Sequence, residues 1–296
     1  MKKYDLIFIT TFINKDVVKV LLESSLKNKS VSLCMVLVGQ KGLKMDLEPY
    51  RTPWTDFHQI VIPGLLNSSQ GRNVGIDYVL QQGIISDFVM FPDDDSSFDK
   101  EFFDGFNGNA KRGYCYLTDV KDPKGSGKYF VKINKKAFAT SSPKTGYLKR
   151  NLWNCVGAVN MLLDYNTFLN VGRFDERMGV GAEYGAGEDS DYFLRSLDGG
   201  AIYLYDPDLY SCHPLGKDRY KTLSYSQLLN RFKKYGEGVV YMLCKHKMYG
   251  QAFKICFKGL GGCAVSLLKL DFKMSFVYLY AFWQRSKMLC KLITNR

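Results

Sequence analysis

The stretch FVMFPDDDSSFDKEFF, residues 88–103, runs from an apolar segment straight into three consecutive aspartates. Neighbouring carboxylates repel one another, so they need either full solvation or a bound cation. The apolar residues predict a buried strand, which places Asp93, Asp94 and Asp95 at its carboxyl end. One interpretation is a divalent-cation site built from Asp93 and Asp95, and the other is that Asp95 caps a helix beginning near Ser96.

The segments before this stretch alternate between strand and helix patterns. The strands are predicted in DLIFITTF, VSLCMVLVGQ and HQIVIPG, and the helices in KDVVKVLLESSLKN and GRNVGIDYVLQQG. The second helix is predicted to turn Val74 and Tyr78 inward, with Leu80 as a further candidate. This order predicts an α/β fold with a mostly parallel sheet covered by helices, in which ligands bind at the carboxyl ends of the strands.

A second acidic cluster follows a glycine-rich loop about 95 residues later. Glycines at 179, 181, 185 and 187 let the backbone pass close to a ligand and deliver Glu188 and Asp189 to a helix start, where a carboxylate is favoured. That helix is predicted to bury three apolar residues: Tyr192, Phe193 and Leu197. Asp189 is either a functional acid or only a helix cap.

Two further stretches carry candidate functions. AIYLYDPDLYSCHP brings His213 to a strand end, where it is either a metal ligand or a packed side chain. The loop TDVKDPKGSGKYF, residues 118–130, lacks the spacing of a phosphate-binding loop, because Asp122 and Tyr129 stand where that motif needs Gly and Ser or Thr. We predict a hairpin or loop there, with a lid over the bound ligand as one role.

Composition excludes several classes of protein. Hydrophobic residues make up 46% of the 296-residue chain, which is enough for a large core and excludes a disordered protein. The eight cysteines are scattered without a CxxC pair, as expected for reduced thiols in the cytosol. The first residues, MKKYDLIFITTF, are expected to form a buried strand and not a signal peptide, since Asp5 interrupts the apolar run.

The net charge of +12 lies almost entirely in the last part of the chain. From residue 216 onward there are 16 Lys and Arg against three acids. The apolar runs at 259–268 and 274–283 are too short to span a bilayer. Basic residues around such runs favour helices that lie on an anionic membrane surface; the alternative is packed helices with solvated lysines. A nucleic-acid surface is disfavoured because the aromatics lie inside apolar runs.

In their order, these motifs resemble the family 2 glycosyltransferases and their GT-A-fold relatives. The matching pieces are ITTF near residue 10, SQGRNVGI at 69–76, FPDDD, the GRFDE…GAGEDSDYFLR block and KKYGEGVVYMLCKH at 233–246, which together cover about residues 4–246. The resemblance implies a GT-A catalytic domain over residues 1–215, with a donor half of about 1–110 and an acceptor half of about 111–215. A basic, helical extension would follow at 216–296.

The resemblance also implies roles for individual residues. Asp93 and Asp95, joined by His213, would bind Mn²⁺ or Mg²⁺, and Asp189 would be the general base. The donor site would include Thr10, Gln40, Arg72, Asn73 and Asp94. The acceptor site would include Glu188, Trp153 and Gly187. One departure is VLVGQKG, where Gly39 and Gln40 replace an aspartate that many members use to meet the nucleobase, so UDP-, dTDP- and GDP-sugars all stay open as donors.

The predicted function is a metal-dependent, inverting glycosyltransferase that moves a sugar from a nucleotide-sugar to a saccharide or lipid-linked saccharide. The resemblance implies surface polysaccharide synthesis (capsule, O-antigen or exopolysaccharide) on the cytoplasmic, inner face of a bacterial-type membrane, with the protein peripherally bound. One alternative is a sugar-phosphate nucleotidyltransferase, although ITTFINKD lacks the glycine-rich loop expected after its first strand. Another is a non-catalytic protein that binds saccharides or anionic surfaces.

Overall fold

A computed structural model describes residues 2–138, 144–215 and 222–294. The chain divides into two compact units: Met1–Phe174 with Tyr192–Gly216, called the sheet unit here, and Asp175–Asp191 with Lys217–Arg296, called the helical unit. The catalytic domain and the extension assigned from the sequence stay predictions. The glycine-rich loop, however, groups with the C-terminal helices, whereas the sequence analysis assigned it to the acceptor half.

The sheet unit is built on a seven-stranded sheet in the described part of the chain, with strand order β3-β2-β1-β4-β8-β5-β9. A smaller sheet has the order β10-β6-β7. The strands are β1 (Lys3–Phe12), β2 (Leu33–Gly39), β3 (Thr55–Val61), β4 (Ile85–Met90), β5 (Cys115–Leu117), β6 (Val120–Lys121), β7 (Tyr129–Val131), β8 (Met161–Asp164), β9 (Tyr203–Tyr205) and β10 (Ser211–Cys212). The helices are α1 (Lys15–Ser25), α2 (Ser68–Gln81), α3 (Lys100–Asn109), α4 (Thr145–Leu152), α5 (Tyr165–Val171), α6 (Glu188–Asp198), α7 (Tyr225–Lys245), α8 (Tyr249–Leu268) and α9 (Phe272–Thr294).

The predicted fold class is confirmed, and the topology shows why the aspartates fall where they do. Strands β1, β2 and β3 follow one another side by side towards one edge of the sheet. Helix α2 then carries the chain back, so that β4 pairs with the other side of β1. All four strands are parallel, with Phe8 of β1 opposite Met90 of β4. The carboxyl ends of β1 and β4 therefore flank a switch point of the sheet, which is where open α/β sheets bind ligands.

The predicted inward face of α2 is wrong at Leu80 and only partly right at Val74 and Tyr78. Leu80 is 47% exposed, and Val74 and Tyr78 are only half-buried. The buried side chains are Ser69, Arg72, Asn73, Ile76 and Val79. Apolar periodicity misplaces this helix because three of these residues are polar, and Arg72 and Asn73 are satisfied by partners from distant parts of the chain.

The helix after the three aspartates is α3, which starts at Lys100 with Asp99 at its N-cap. The interpretation of Asp95 as a cap of a helix near Ser96 is therefore wrong. Phe102 and Phe106 of α3 are buried, and Phe106 packs edge-on against Phe88 of β4 with ring centroids 5.4 Å apart. Aromatic packing thus anchors the chain on both sides of the aspartate turn.

The helical unit contains α7, α8 and α9, and the contacts of α9 with α7 and α8 are extensive. Ser224 and Gln227 form a capping box that starts α7. Gly259 and Gly262 of α8 lie against Tyr278 of α9, where a β-carbon would come within 3.0 Å of its atoms. Among the described residues, we find no helix with the length and apolar content to cross a bilayer.

Candidate functional site

Three ligand-type side chains converge at the carboxyl end of β4. One oxygen each from Asp93 and Asp95 and one ring nitrogen of His213 lie within 4.8 Å of one another, and among the described residues no other group of this kind is found. Nε2 of His213 is 3.1 Å from Oδ1 of Asp95 and 3.6 Å from Oδ2 of Asp93. Adjacent ligands of an octahedral Mg²⁺-sized ion lie about 3 Å apart, so the cluster fits a divalent cation.

Backbone pairing explains how residues 118 positions apart meet. Ser97 and Cys212 exchange two backbone hydrogen bonds of 2.8 and 2.9 Å, which bring β10 alongside the aspartate turn. The backbone N–H of His213 then donates to the carbonyl of Lys121 in β6. His213 thus follows β10 directly, as predicted, and is fixed from two sides.

The tautomer of His213 favours a role as a ligand. Its Nδ1 donates to the carbonyl of Pro214 at 2.8 Å, because a carbonyl oxygen can only accept. This leaves Nε2 facing the two carboxylates, in the way that a metal-binding histidine is held by a partner behind it. Burial opposes the charged ring, but the hydrogen bond to Asp95 and the charge of Asp93 outweigh burial and raise the pKa of His213.

The Arg-Asn pair of α2 divides its work. Arg72 is buried, and its Nη2 donates to Oδ1 of Asp93 at 2.8 Å, so the other oxygen of Asp93 is left facing His213. Asn73 is fully buried, and its amide both donates to the carbonyl and accepts from the N–H of Phe174. Arg72 therefore orients a candidate ligand, whereas the contacts of Asn73 are structural.

Thr10 and Gln40 lie behind the site. The hydroxyl of Thr10 donates to the carbonyl of Pro92 at 3.0 Å and ties β1 to the aspartate turn. The amide of Gln40 donates to Oγ1 of Thr11 and accepts from the N–H of Leu66. Thr10 and Gln40 are both nearly inaccessible to solvent, so they support the strand ends from within, and donor contact by either stays a prediction.

The predicted hairpin of residues 118–130 is confirmed, and it carries a contact that the sequence did not reveal. Strands β6 and β7 pair antiparallel, and Phe130 of β7 lies on the ring of His213 with centroids 4.0 Å apart. Phe130 is 37% exposed. An aromatic side chain on a hairpin thus covers one face of a candidate metal ligand, and its place next to His213 depends on pairing that no local pattern shows.

The acidic loop belongs to the helical unit. Glu188 is buried and begins α6, with Asp189 half-buried beside it. Gly187 has a φ of +99°, and a β-carbon there would lie 3.1 Å from both the carbonyl oxygen of Gly238 and Cβ of Met242. A β-carbon on Gly185 would lie 2.7 Å from Cβ of Lys234. These two glycines therefore admit the neighbouring helix α7, where the sequence analysis expected a ligand.

A buried charge network supports the same turn and was missed by the sequence analysis. Asp191 of α6 is fully buried, and one of its oxygens is 2.8 Å from Nζ of Lys245 and 2.9 Å from Nε2 of His246. Lys245 also reaches Asp175 at 2.8 Å. The Lys-His pair of the KKYGEGVVYMLCKH stretch is part of the family resemblance stated above. Its partner, Asp191, could not be predicted from the spacing of residues in the sequence.

Two further predicted site residues, Asp94 and Trp153, belong to the sheet unit, and only Asp94 is next to the metal cluster. Asp94 lies in the turn between Asp93 and Asp95 and is half-buried. Trp153 follows α4 and is 8% exposed. The structure does not bring Trp153 to the metal cluster through any described contact, and its role in acceptor binding stays a prediction.

Similarity to solved structures is consistent with this geometry. The sequence matches no protein-family model and no curated protein. The fold is similar to that of S. aureus TarS residues 1–349 with UDP-GlcNAc: TM-score 0.55, 13% identity, covering 99% of this chain and 92% of that one. It is also similar to a mannosyltransferase from Pyrobaculum calidifontis with GDP-Man and Mn²⁺: TM-score 0.54, 10% identity, covering 98% and 88%. The chain spans 43% of a longer TarS structure. These likenesses show the GT-A fold.

Proposed function

We propose that this protein is a metal-dependent, inverting glycosyltransferase with a nucleotide-sugar donor. The observation that carries the proposal is the convergence of Asp93, Asp95 and His213 at the switch point of a GT-A sheet. Two proteins of similar fold were solved with UDP-GlcNAc and with GDP-Man and Mn²⁺, which supports a donor of this class.

In the proposed reaction, one set of residues stabilises the leaving diphosphate and a second set binds and deprotonates the acceptor. The acceptor oxygen forms a bond to C1 of the sugar while the bond from C1 to the diphosphate oxygen breaks. When bound to Asp93, Asp95 and His213, Mn²⁺ or Mg²⁺ supplies positive charge for the departing diphosphate. Arg72 holds Asp93 in its ligand orientation, and Asp189 takes the proton from the acceptor hydroxyl. Glu188, Trp153 and Gly187 are proposed to bind the acceptor, a saccharide or lipid-linked saccharide of a surface polysaccharide pathway.

The deciding experiment measures hydrolysis and transfer with UDP-, dTDP- and GDP-sugars, with and without Mn²⁺. We expect one nucleotide class to be consumed only in the presence of the cation, and the anomeric configuration of the product to be inverted. Pyrophosphate release from a sugar phosphate and a nucleoside triphosphate would identify a nucleotidyltransferase instead. Saccharide binding without any turnover in the full panel would leave a non-catalytic binding protein.

We further propose that the helical unit binds the inner face of a cell membrane peripherally. Exposed apolar side chains recur at helical spacing along α8 and α9: Phe253, Phe257, Leu260, Leu268, Phe272, Phe276, Leu279 and Trp283. Exposed lysines lie between them, including Lys254, Lys258, Lys269 and Lys273. Apolar stripes next to lysines suit a helix that lies in an anionic membrane interface. They favour this interpretation over packed helices that only carry solvated lysines.

The membrane proposal is tested with vesicles that contain phosphatidylserine. The full-length protein should sediment with them at low salt, and the variant with both Leu268→Glu and Phe272→Glu should stay in the supernatant, since these side chains are 87% and 67% exposed. Leu65→Glu, at a 62% exposed residue of the sheet unit, is the matched control and should sediment like the parent. Equal sedimentation of all three proteins would contradict the proposal.

A further inference from the structure

The helical unit contains a second candidate site, a cavity of about 230 Å³ with two guanidinium groups in its wall. Its described lining contains no Asp or Glu: Arg231, Phe232, Tyr235, Gly236, Val239, Ile255 and Arg285. All of these residues except Gly236 are partly exposed, so the cavity opens to the surface. It thus combines positive charge with apolar walls and access to solvent.

Arg285 is one of the two arginines that line this cavity. Its Nη1 donates to the carbonyl of Ile255 at 3.1 Å, whereas its Nε is buried and has no hydrogen-bond partner in the described part of the chain. Burial lowers the pKa of Arg285, and the groups that act against burial are Cys256 and Tyr278, neither of them a carboxylate. The unpaired Nε lies against Gly236 and is closed to solvent, so an anion in the cavity would be attracted by the charge of the whole guanidinium, which has no carboxylate among the groups that act on it.

Gly236 makes room for this guanidinium. A β-carbon at position 236 would lie 2.6 Å from Nε and 2.9 Å from Cγ of Arg285. Gly236 is the first glycine of the YGEG stretch, and the second, Gly238, admits the backbone of Ala186 in the acidic loop. The two glycines of one stretch therefore serve different purposes, and the first is explained by the arginine alone.

Arg231 supplies the second positive group. Its guanidinium lies over the ring of Tyr235 at 4.5 Å, and its Nη2 donates to the hydroxyl of that tyrosine at 3.1 Å. The planar N–H fork of arginine matches the oxygens of a phosphate group. The apolar walls formed by Phe232, Val239 and Ile255 lower the local dielectric constant and so strengthen the attraction between charges.

We propose that this cavity binds a phosphoryl group, carried either by a phospholipid or by a soluble phosphate or diphosphate. The site is formed by residues of the helical unit, and it is independent of the metal cluster and of the donor chemistry proposed above. It gives the unit a specific contact to a phosphate group, in addition to a general attraction between lysines and an anionic surface.

The test compares Arg285→Gln with Lys291→Gln, which removes the same charge from an exposed position of α9. Inorganic pyrophosphate is titrated calorimetrically in the presence of EDTA, and vesicles of phosphatidylcholine with phosphatidic acid are tested by sedimentation. Arg285→Gln should weaken binding of at least one probe by about tenfold or more, as for the loss of a charge-assisted hydrogen bond. Lys291→Gln should stay within about twofold of the parent.

Two further variants guard against an effect of misfolding. Arg285→Lys keeps the charge but loses the N–H fork, and Gly236→Ala displaces the guanidinium from the opposite wall; both should weaken the same probe. If only the binding of pyrophosphate depends on Arg285, the ligand is a soluble phosphate or diphosphate. If binding to the vesicles depends on Arg285, the ligand is a lipid phosphate. If neither probe distinguishes Arg285→Gln from Lys291→Gln, the proposal is overturned. Titration of the same variants with UDP and Mn²⁺ keeps this result separate from the proposed transferase activity, because Arg285 is not part of the metal cluster.

Discussion

Two clusters of carboxylates and a histidine among the described residues can be compared, and they differ in how positive charge is placed between the carboxylates. In the sheet unit, Asp93 and Asp95 face Nε2 of His213 at 3.6 and 3.1 Å. In the helical unit, Nζ of Lys245 lies 2.8 Å from both Asp191 and Asp175, so an ammonium group is already placed between two carboxylates. In the first cluster Arg72 pairs with one oxygen of Asp93, and the remaining carboxylate oxygens face a histidine nitrogen. In the second cluster a lysine bridges both carboxylates, which leaves less need for a further cation.

The contrast shows that residue types alone do not identify a metal site. Both clusters combine two aspartates with one histidine, but only in the first do the candidate ligand atoms of all three residues lie within 4.8 Å of one another. The clusters differ most at one carboxylate each, since the side chain of Asp93 is 36% exposed whereas that of Asp191 is fully buried. Asp95 and Asp175 are similar, at 15% and 20%. A metal ligand must be reachable from solvent, whereas a fully buried carboxylate depends on its charge partners because its desolvation is costly.

The largest expected effect is the loss of cation binding at the first cluster. Asp95→Asn should abolish Mn²⁺-dependent binding of nucleoside diphosphate, because a neutral amide is a much weaker ligand for a hard cation than a carboxylate. The thermal unfolding temperature should change little, since the carboxylate lies outside the apolar core. Calorimetric titration with UDP and GDP measures the effect.

Asp104→Asn is the matched control for that variant. Asp104 is an exposed residue of α3, paired with Lys100 one turn away, and its substitution should leave nucleotide binding unchanged. Cation-dependent binding that survives in Asp95→Asn at the affinity of the parent would contradict the assignment of the metal site.

The next largest effect concerns turnover and not binding. Asp189→Asn keeps the shape of the side chain but cannot take a proton, so transfer should slow by about 10²- to 10⁴-fold while the affinity for donor nucleotide stays the same. Steady-state kinetics beside nucleotide titration separates the two quantities. A parent rate in Asp189→Asn would leave this residue as a helix cap, and Glu188 and then Glu183 would be the next candidates.

Glu188→Gln sharpens the division of roles within the acidic loop. We expect it to raise the KM for the acceptor with a smaller effect on kcat, because this residue is proposed to bind the acceptor and not to take the proton. A loss of kcat as large as that in Asp189→Asn, at unchanged KM, would instead make Glu188 the base.

Much of the sheet unit could be predicted from the sequence because its signals are local. The apolar runs of β1, β2 and β4 and the aspartates after β4 are continuous in the chain, so strand type and strand end follow from pattern alone. The burial of Tyr192, Phe193 and Leu197 on α6 was predicted for the same reason and is confirmed. His213 was placed at a strand end correctly by the same kind of argument.

The failures have a common cause, which is a polar or glycine residue with a partner far away in the chain. Arg72 and Asn73 are buried on α2 because residues 93 and 174 satisfy them, and no window along the helix contains either partner. The sequence predicts that Gly185 and Gly187 face a ligand, but in the structure α7 packs against both glycines and leaves no room for a side chain. Such roles appear only once the tertiary contacts are known.

A smaller effect tests the internal cation of the second cluster. Lys245→Met removes the ammonium beside the buried Asp191 and should lower the free energy of unfolding by about 2–3 kcal/mol, because a buried carboxylate loses one of its charge partners. Adding Asp191→Asn should restore part of this loss, since the remaining amide carries no charge. Urea unfolding of both variants gives the comparison, and equal stability of parent and Lys245→Met would show that His246 alone is sufficient.

The smallest expected effect concerns the packing of α7 against the acidic loop that carries the second cluster. It is measured by substituting two glycines of the helical unit. A β-carbon on Gly238 would lie 2.7 Å from the backbone nitrogen of Ala186, two residues before Glu188, so Gly238→Ala must push the acidic loop away from α7. We expect a destabilisation of about 1–2 kcal/mol together with slower turnover. Gly261→Ala is the control, because a β-carbon at that position of α8 meets nothing within 4 Å and should stabilise the helix by about 1 kcal/mol. If Gly238→Ala lowers the free energy of unfolding and Gly261→Ala raises it, close packing of α7 holds the loop in place. If both substitutions change the free energy of unfolding in the same direction, the loop is positioned by the charges of Asp191 and Lys245 alone.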